Sequence, residues 1–289
     1  MIWLRHVRIT LRHLGLLVTL LCLQGCSNLF YQPMKPHYVN PGQFKFTYGD
    51  VFFTSKDGTR LHGWFIPAKN GKSKGTIVQF HGNAQNLSTH FLSLLWLVPE
   101  GYNLFVFDYR GYGKSKGEAN QKGIYEDALA AMEKGWELHS QKGQGPYVIY
   151  GQSLGGIISL RALADFKNQN KVGLIVQDST FDSYKDIAFD RLNSKWFLLP
   201  FSPLAYILVS DAYASDEVFD KITVPTLVVV GQKDDVIPQK FGKRIYKNLH
   251  VKQKWLWKAK EGRHIDVYHY PGSTFRRKFL SLLDQISQN

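Results

Sequence analysis

The chain has 289 residues, of which 44% are apolar, 20% charged and 14% aromatic. That length and balance suit one globular domain with a large core, leave little room for two, and exclude a disordered chain. The formal net charge of +13 raises the question of nucleic acid, but the basic residues are scattered, and there is no RNP-like aromatic motif, zinc-finger spacing or basic helix stripe. Lys252, Lys254, Lys258 and Lys260 alternate along a strand-like stretch as a solvated face does. No nucleic-acid partner is expected, and attraction to anionic lipid headgroups fits the charge better.

Arg5, Arg8 and Arg12 open the chain, no acidic residue precedes Asp50, and Leu14 to Leu23 is almost wholly apolar. A basic start followed by about ten apolar residues is the layout of a secretory signal, and the run is too short to span a bilayer comfortably. It ends in Leu23-Gln24-Gly25-Cys26, which resembles the lipobox of bacterial lipoproteins. The resemblance implies a signal over 1–25 and lipidation of Cys26 as the new N-terminus. With Ser27 next, it also implies outer-membrane sorting on the periplasmic side. Cys22 and Cys26 are the only cysteines, so a chain beginning at Cys26 has no internal disulfide. A plain secretory signal with an incidental cysteine and a retained membrane helix are the alternatives. Residues 26–43, with Pro33, Pro36 and Pro41, read as a tether and lead-in.

From Phe44 two strand-like runs flank Lys56-Asp57-Gly58, a hairpin signal. Apolar bursts follow at Thr76 to Phe80, Asn103 to Asp108, Tyr147 to Gly151, Gly173 to Asp178 and Thr226 to Gly231. Continuous apolar runs of this length suit strands buried on both faces. Helical stretches are expected at Leu87 to Val98, Ile124 to His139, Leu154 to Phe166 and Gln239 to Leu249. The alternation predicts an α/β fold whose central sheet is mostly parallel with an antiparallel start. Between Asp178 and Pro225 the rhythm breaks, which predicts a helical cap insertion at about 181–218 over the sheet's carboxyl edge.

Gly151-Gln152-Ser153-Leu154-Gly155 is a G-x-S-x-G motif directly after a strand and opening a helix. A sharp strand-to-helix turn exposes the serine hydroxyl there, and small neighbours allow tight packing around it. A carboxylate and a histidine follow in the order this chemistry needs. Asp234 lies just past the strand Thr226 to Gly231, with Asp235 as its rival. His264 lies in the loop before the final helix, with His269 as its rival. Ser153 would be the nucleophile, His264 the base and Asp234 the group that orients the base. Phe80-His81-Gly82-Asn83-Ala84, again after a strand, offers the backbone N–H of Asn83 as an oxyanion donor beside that of Leu154. His81 is expected to brace this loop and to transfer no proton.

The strings HGNAQN, FDYRGYGKS, GQSLGG and GQKDDVIP resemble the bud-emergence-type branch of the α/β-hydrolases and, less closely, monoacylglycerol lipases. The resemblance covers residues 44–289 and implies an α/β-hydrolase domain with Ser153, Asp234 and His264 as its triad. It also implies a structural role for Asp108, Arg110 and Gly111. Arg263 stands where many relatives have a glycine before the histidine.

Such a triad carries acyl transfer to water. Phe181, Trp196, Phe197, Leu198, Leu199 and Phe201 in the insertion either favour an apolar acyl chain above Ser153 or pack the insertion onto the core. A carboxylic ester, with lipid esters included, is the expected substrate. A thioesterase, amidase or peptidase on the same triad, or a non-catalytic envelope lipoprotein, are the alternatives. No nucleotide loop or clustered metal ligands occur in the sequence, so no cofactor or metal is expected.

Overall fold

The computed structural model describes residues 30–289 except 70, 72, 143, 270–272 and 289. The expected signal and the lipidation site Cys26 lie outside the described residues. Strands β1 (Gly49–Thr54) and β2 (Arg60–Ile66) form the hairpin, turned at Gly58 with a φ of 86°. β3 (Thr76–Phe80), α1 (Leu87–His90), β4 (Asn103–Asp108) and α2 (Gln121–Lys142) follow. Next come β5 (Tyr147–Gln152), α3 (Leu154–Leu163), β6 (Val172–Asp178), α4 (Tyr184–Asn193) and α5 (Leu204–Leu208). β7 (Thr226–Gly231), α6 (Gln239–Asn248), β8 (Lys254–Ala259) and α7 (Thr274–Ser287) complete the order.

The eight strands form one sheet in the order β1-β2-β4-β3-β5-β6-β7-β8. β1 and β2 are antiparallel to each other, β2 is antiparallel to β4, and every other pairing is parallel. The mostly parallel sheet with an antiparallel start is therefore as the sequence predicts. Alternation along each strand feeds two cores. Val78, Phe105, Ile149, Ile175 and Val228 face one layer with Met132, Ile157 and Ile245 of α2, α3 and α6. Ile77, Leu104, Val148, Leu174 and Leu227 face the other with Leu94, Leu97 and Phe279. Strands buried on both faces leave no polar edge to mark them, which is why they read as unbroken apolar bursts.

Two segments differ from expectation. Leu87 to Val98 is not one helix: α1 gives way to short 3-10 turns at Phe91–Ser93 and Leu95–Leu97. The cause lies at the His90 carbonyl, which accepts from Ser93 Oγ at 2.9 Å and from Gln79 Nε2 of β3 at 2.9 Å. These competing donors take the acceptor that a continuing helix would use. The second difference is the lead-in, since residues 30–43 are no free tether. Tyr31 is buried, and Asn86 Nδ2 donates to the carbonyls of Met34 and Pro36 at 2.8 and 2.7 Å. Prolines that look like linker composition here shape an extended strap whose carbonyls are satisfied by the body.

The strand-end turn after β4 is locked by charge. Arg110 donates through Nε and Nη2 to Asp127, and through Nη1 and Nη2 to Asp57 in the hairpin turn. Asp127 and Asp108 are fully buried. Asp108 accepts the Leu87 amide at 2.7 Å, and its carbonyl accepts from Ser115 Oγ. A buried pair of this kind is a strong constraint, because losing one partner strands the other charge.

Candidate active site

Asn83, Ser153, Asp234 and His264 follow the carboxyl ends of β3, β5, β7 and β8. Ser153 sits between β5 and α3 with φ 52° and ψ −119°, a conformation L-residues rarely adopt. A non-glycine residue held there costs of order 1–3 kcal/mol. Three hydrogen bonds offset it: the Ser153 amide donates to the Asp178 carbonyl at 2.9 Å, and its carbonyl accepts from the Gly156 amide at 3.0 Å and from Thr180 Oγ1 at 2.5 Å. A side chain at Gly155 would run into the Phe80 and His81 carbonyls, so only glycine lets α3 start this close to β3. As the first residue of α3, Leu154 has an amide with no partner inside the helix.

Asp234 follows β7 with its side chain almost wholly buried. One carboxylate oxygen accepts the amides of Val236 and Ile237 at 2.9 and 2.8 Å, and the other meets His264 Nδ1 at 2.9 Å. The turn thus fixes the carboxylate, and the carboxylate fixes the ring. Asp235 is exposed, and its carbonyl accepts from Arg191. His269 is exposed too. Of the two rival pairs, Asp234 and His264 are the ones brought together. Arg263, which departs from the family's glycine, donates its amide to Asp266 at 2.8 Å and keeps the loop turned.

The Ile265 amide donates to Ser179 Oγ at 3.3 Å, which ties the histidine loop to the segment just past Asp178. Asp178 and His90 flank Ser153. Asp178 accepts the Ser153 amide. His90 Cε1 and Ser153 Cβ each lie 3.4 Å from where a side chain on Gly82 would begin. The HGN loop is held mainly through Asn83, where His81 is the expected brace. Asn83 Oδ1 accepts from the Gln32 and Ala84 amides at 2.9 and 2.8 Å and from Tyr112 OH at 3.0 Å. His81 is fully buried, with Nδ1 2.7 Å from the Gly82 carbonyl.

Sequence reasoning passed over Asp178 and His90. Burial pushes the Asp178 carboxyl up to about 6, against the hydrogen bond from Tyr150 OH at 2.9 Å and the His264 charge. Burial, with the His81 charge beside it, pushes His90 down to about 3, so this ring is neutral at ordinary pH. A strand-terminal Asp and a helix His carry no motif of their own; only the fold shows that they border the nucleophile's turn.

The expected apolar cluster divides. Phe181 is buried against Tyr184, whereas Trp196, Phe197, Leu199 and Phe201 are exposed. An apolar hollow of about 410 Å³ lies between α4 and α5, floored by Ile187, Leu192, Ala205 and Leu208 and closed by Phe30. None of Ser153, Asp234 or His264 lines it.

Comparison with known proteins agrees with the geometry. Residues 75–202 match the family described as alpha/beta hydrolase fold. The uncharacterized protein YfhR of Escherichia coli (strain K12) is 32% identical over 261 residues, covering 89% of this chain and 86% of that one. The protein bem46 of Schizosaccharomyces pombe is 26% identical over 213 residues, covering 72% and 68%. A solved esterase from Pyrococcus furiosus superposes with a TM-score of 0.67 at 20% identity over 89% of this chain and 97% of its own. The chain belongs to the α/β-hydrolase family together with YfhR, has that family's fold, and is more distantly similar to bem46.

The raised Asp178 carboxyl predicts a pH signature. Its folded value of about 6 exceeds the unfolded one, so the folded state holds the extra proton between roughly pH 4 and 6 and stability falls as pH rises through that window. Asp178→Asn should therefore stabilise the protein by about 1–3 kcal/mol at pH 7.5 and by almost nothing at pH 4. Urea unfolding at the two pH values checks this. Equal effects at both would contradict it.

Proposed function

We propose that this hydrolase is a serine esterase that cleaves carboxylic esters of apolar acyl groups through an acyl-enzyme. The observation that carries the reading is the 2.9 Å bond between His264 Nδ1 and the buried Asp234 carboxylate, beside a serine held in a strained strand-to-helix turn. With Nδ1 engaged, Nε2 is the nitrogen left to take a proton. Ser153 Oγ attacks the ester carbonyl carbon as its proton passes to His264, and the Asp234 carboxylate stabilises the imidazolium. The Asn83 and Leu154 amides hold the tetrahedral oxyanion. Collapse expels the alcohol, protonated by His264, and leaves the acyl group on Ser153. Water, activated by the same ring, then releases the acid. The neutral His90 ring adds no competing positive charge at the turn.

We propose further that the protein is a lipoprotein of the cell envelope, held at the membrane by a lipid on Cys26. The basic leader and its Cys-terminated apolar run support this. So does the cap, where Trp196 is 86% and Ile207 77% exposed, with Lys195 next to Trp196 in the chain. Apolar side chains clustered at a surface and flanked by cations suit a lipid–water boundary. Phe30 closes the apolar hollow from the strap that leads back to Cys26. Among the described residues no helix is long and apolar enough to cross a membrane.

Ser153→Ala should lower kcat on p-nitrophenyl esters by about 10³-fold or more, leaving the residual rate of the oxyanion and binding contacts. Longer acyl chains should be preferred over acetate in the wild type, and thioester and peptide substrates should turn over more slowly. An active Ser153→Ala variant would overturn the mechanism, and faster thioester turnover the substrate class. Cys26→Ala should remove the lipid mass and alter the membrane partition, whereas growth with globomycin should leave the signal uncleaved and so raise the mass of the chain. An unchanged mass and partition would remove the anchor.

A further inference from the structure

Behind the HGN loop, away from the Ser153 turn, three side chains from distant parts of the chain meet. His37 comes from the strap, His62 from β2 and Asp108 from the end of β4. His62 and Asp108 are direct cross-strand partners, so their side chains share one face of the sheet. Each of the three residues brings one ligand atom to within 4.8 Å of the other two. Within this cluster three buried polar atoms have no hydrogen-bond partner: His37 Nε2, His62 Nδ1 and Asp108 Oδ2. His62 and Asp108 are fully buried. A buried polar atom left unpaired costs about 1–3 kcal/mol, and three of them converging on one place is an arrangement that a protein core otherwise avoids.

Their partners explain which lone pairs are free. His62 Nε2 lies 2.5 Å from Asp50 Oδ1, an oxygen that also accepts from Trp64 Nε1 at 3.1 Å. That carboxylate holds the ring proton on Nε2 and leaves Nδ1 as a lone pair, the orientation that a carboxylate behind a histidine imposes on metal ligands. Asp108 spends its other oxygen, Oδ1, on the Leu87 amide at 2.7 Å, with His81 Nε2 at 3.4 Å. Oδ2 is thereby turned toward His37, whose Nε2 stands 3.7 Å away. This is too long for a hydrogen bond. It is close to the roughly 3.4 Å that separates two ligands of a tetrahedral ion with bonds of about 2.0–2.1 Å. A side chain on Gly113 would run into Asp108 Oδ2 and His37 Nε2, so only glycine lets this turn pass beside the pair.

We propose that His37, His62 and Asp108 form a binding site for a divalent transition-metal ion, with zinc as the fitting probe. Two imidazoles and one carboxylate are borderline ligands of the kind zinc takes, and a water or chloride would supply the fourth position. The widest ligand pair closes onto the ion by side-chain movement of about 1 Å. The site is structural. It clips the strap to β2 and β4, and through Asp108 and Leu87 it stiffens the loop that carries Asn83. A scan of the sequence for spaced ligands cannot find it, because the three residues come together only across the sheet.

Zinc titration of the purified full-length protein, with the retained metal counted by atomic emission after gel filtration, tests the site. One zinc per chain and an upward thermal shift of several degrees are expected, both absent from the His37→Ala/His62→Ala double variant. Asp50→Asn, which touches no ion, should weaken zinc affinity about 10–100-fold. His37→Ala alone, a change in the strap, serves as the folded control should the double variant lose its circular dichroism. No zinc retained by the wild type, or equal retention by wild type and His37→Ala, would overturn the proposal.

Discussion

The strand-to-helix turn at Ser153 sets the terms for the rest of this molecule. A residue with a side chain is held at positive φ, and nothing in its own chemistry makes that conformation favourable. What holds it is the neighbourhood: the Asp178 carbonyl on β6, the Thr180 hydroxyl just beyond it, and a helix start pressed against the end of β3. Each of these belongs to a strand paired directly with β5 or to the segment that leaves it. The parallel sheet is therefore the device that over-determines the turn, and the two apolar layers are what hold the sheet flat against its helices.

Charge is distributed around that turn with a consistent logic. Asp234 has its carboxylate oxygens satisfied by two amides and one imidazole. Asp178, two strands closer to the serine in sheet order than β8 is, keeps one oxygen without a partner and has its carboxyl raised by burial. The two acids at this edge are thus not equivalent, and the one that is fully engaged is the one that touches His264. Deeper in, Asp108 stays below its ordinary value despite burial, because the His37 and His81 rings and the Leu87 amide outweigh the loss of water.

Much of this was legible in the sequence because the physics was local. Apolar bursts of strand length, a G-x-S-x-G between strand and helix, and an acid just past a strand each announce themselves within a few residues. What was not legible depended on contacts made across the fold. Leu87 to Val98 has helical periodicity, yet the Gln79 amide from a neighbouring strand interrupts it. The proline-bearing strap has linker composition, but Asn86 gives its carbonyls somewhere to go. The aromatic run after Lys195 reads equally well as core or as surface, and only the described structure shows it facing outward. His37, His62 and Asp108 share no spacing that a sequence template could register.

The central claim is that Ser153 is nucleophilic because His264, steadied by Asp234, takes its proton. Labelling with a fluorophosphonate, followed by peptide mass mapping, tests it most directly. The account predicts a single adduct on the peptide carrying Ser153, formed at least about 10³-fold more slowly in His264→Ala. An adduct on another residue, or labelling of Ser153 at an unchanged rate without the imidazole, would contradict it.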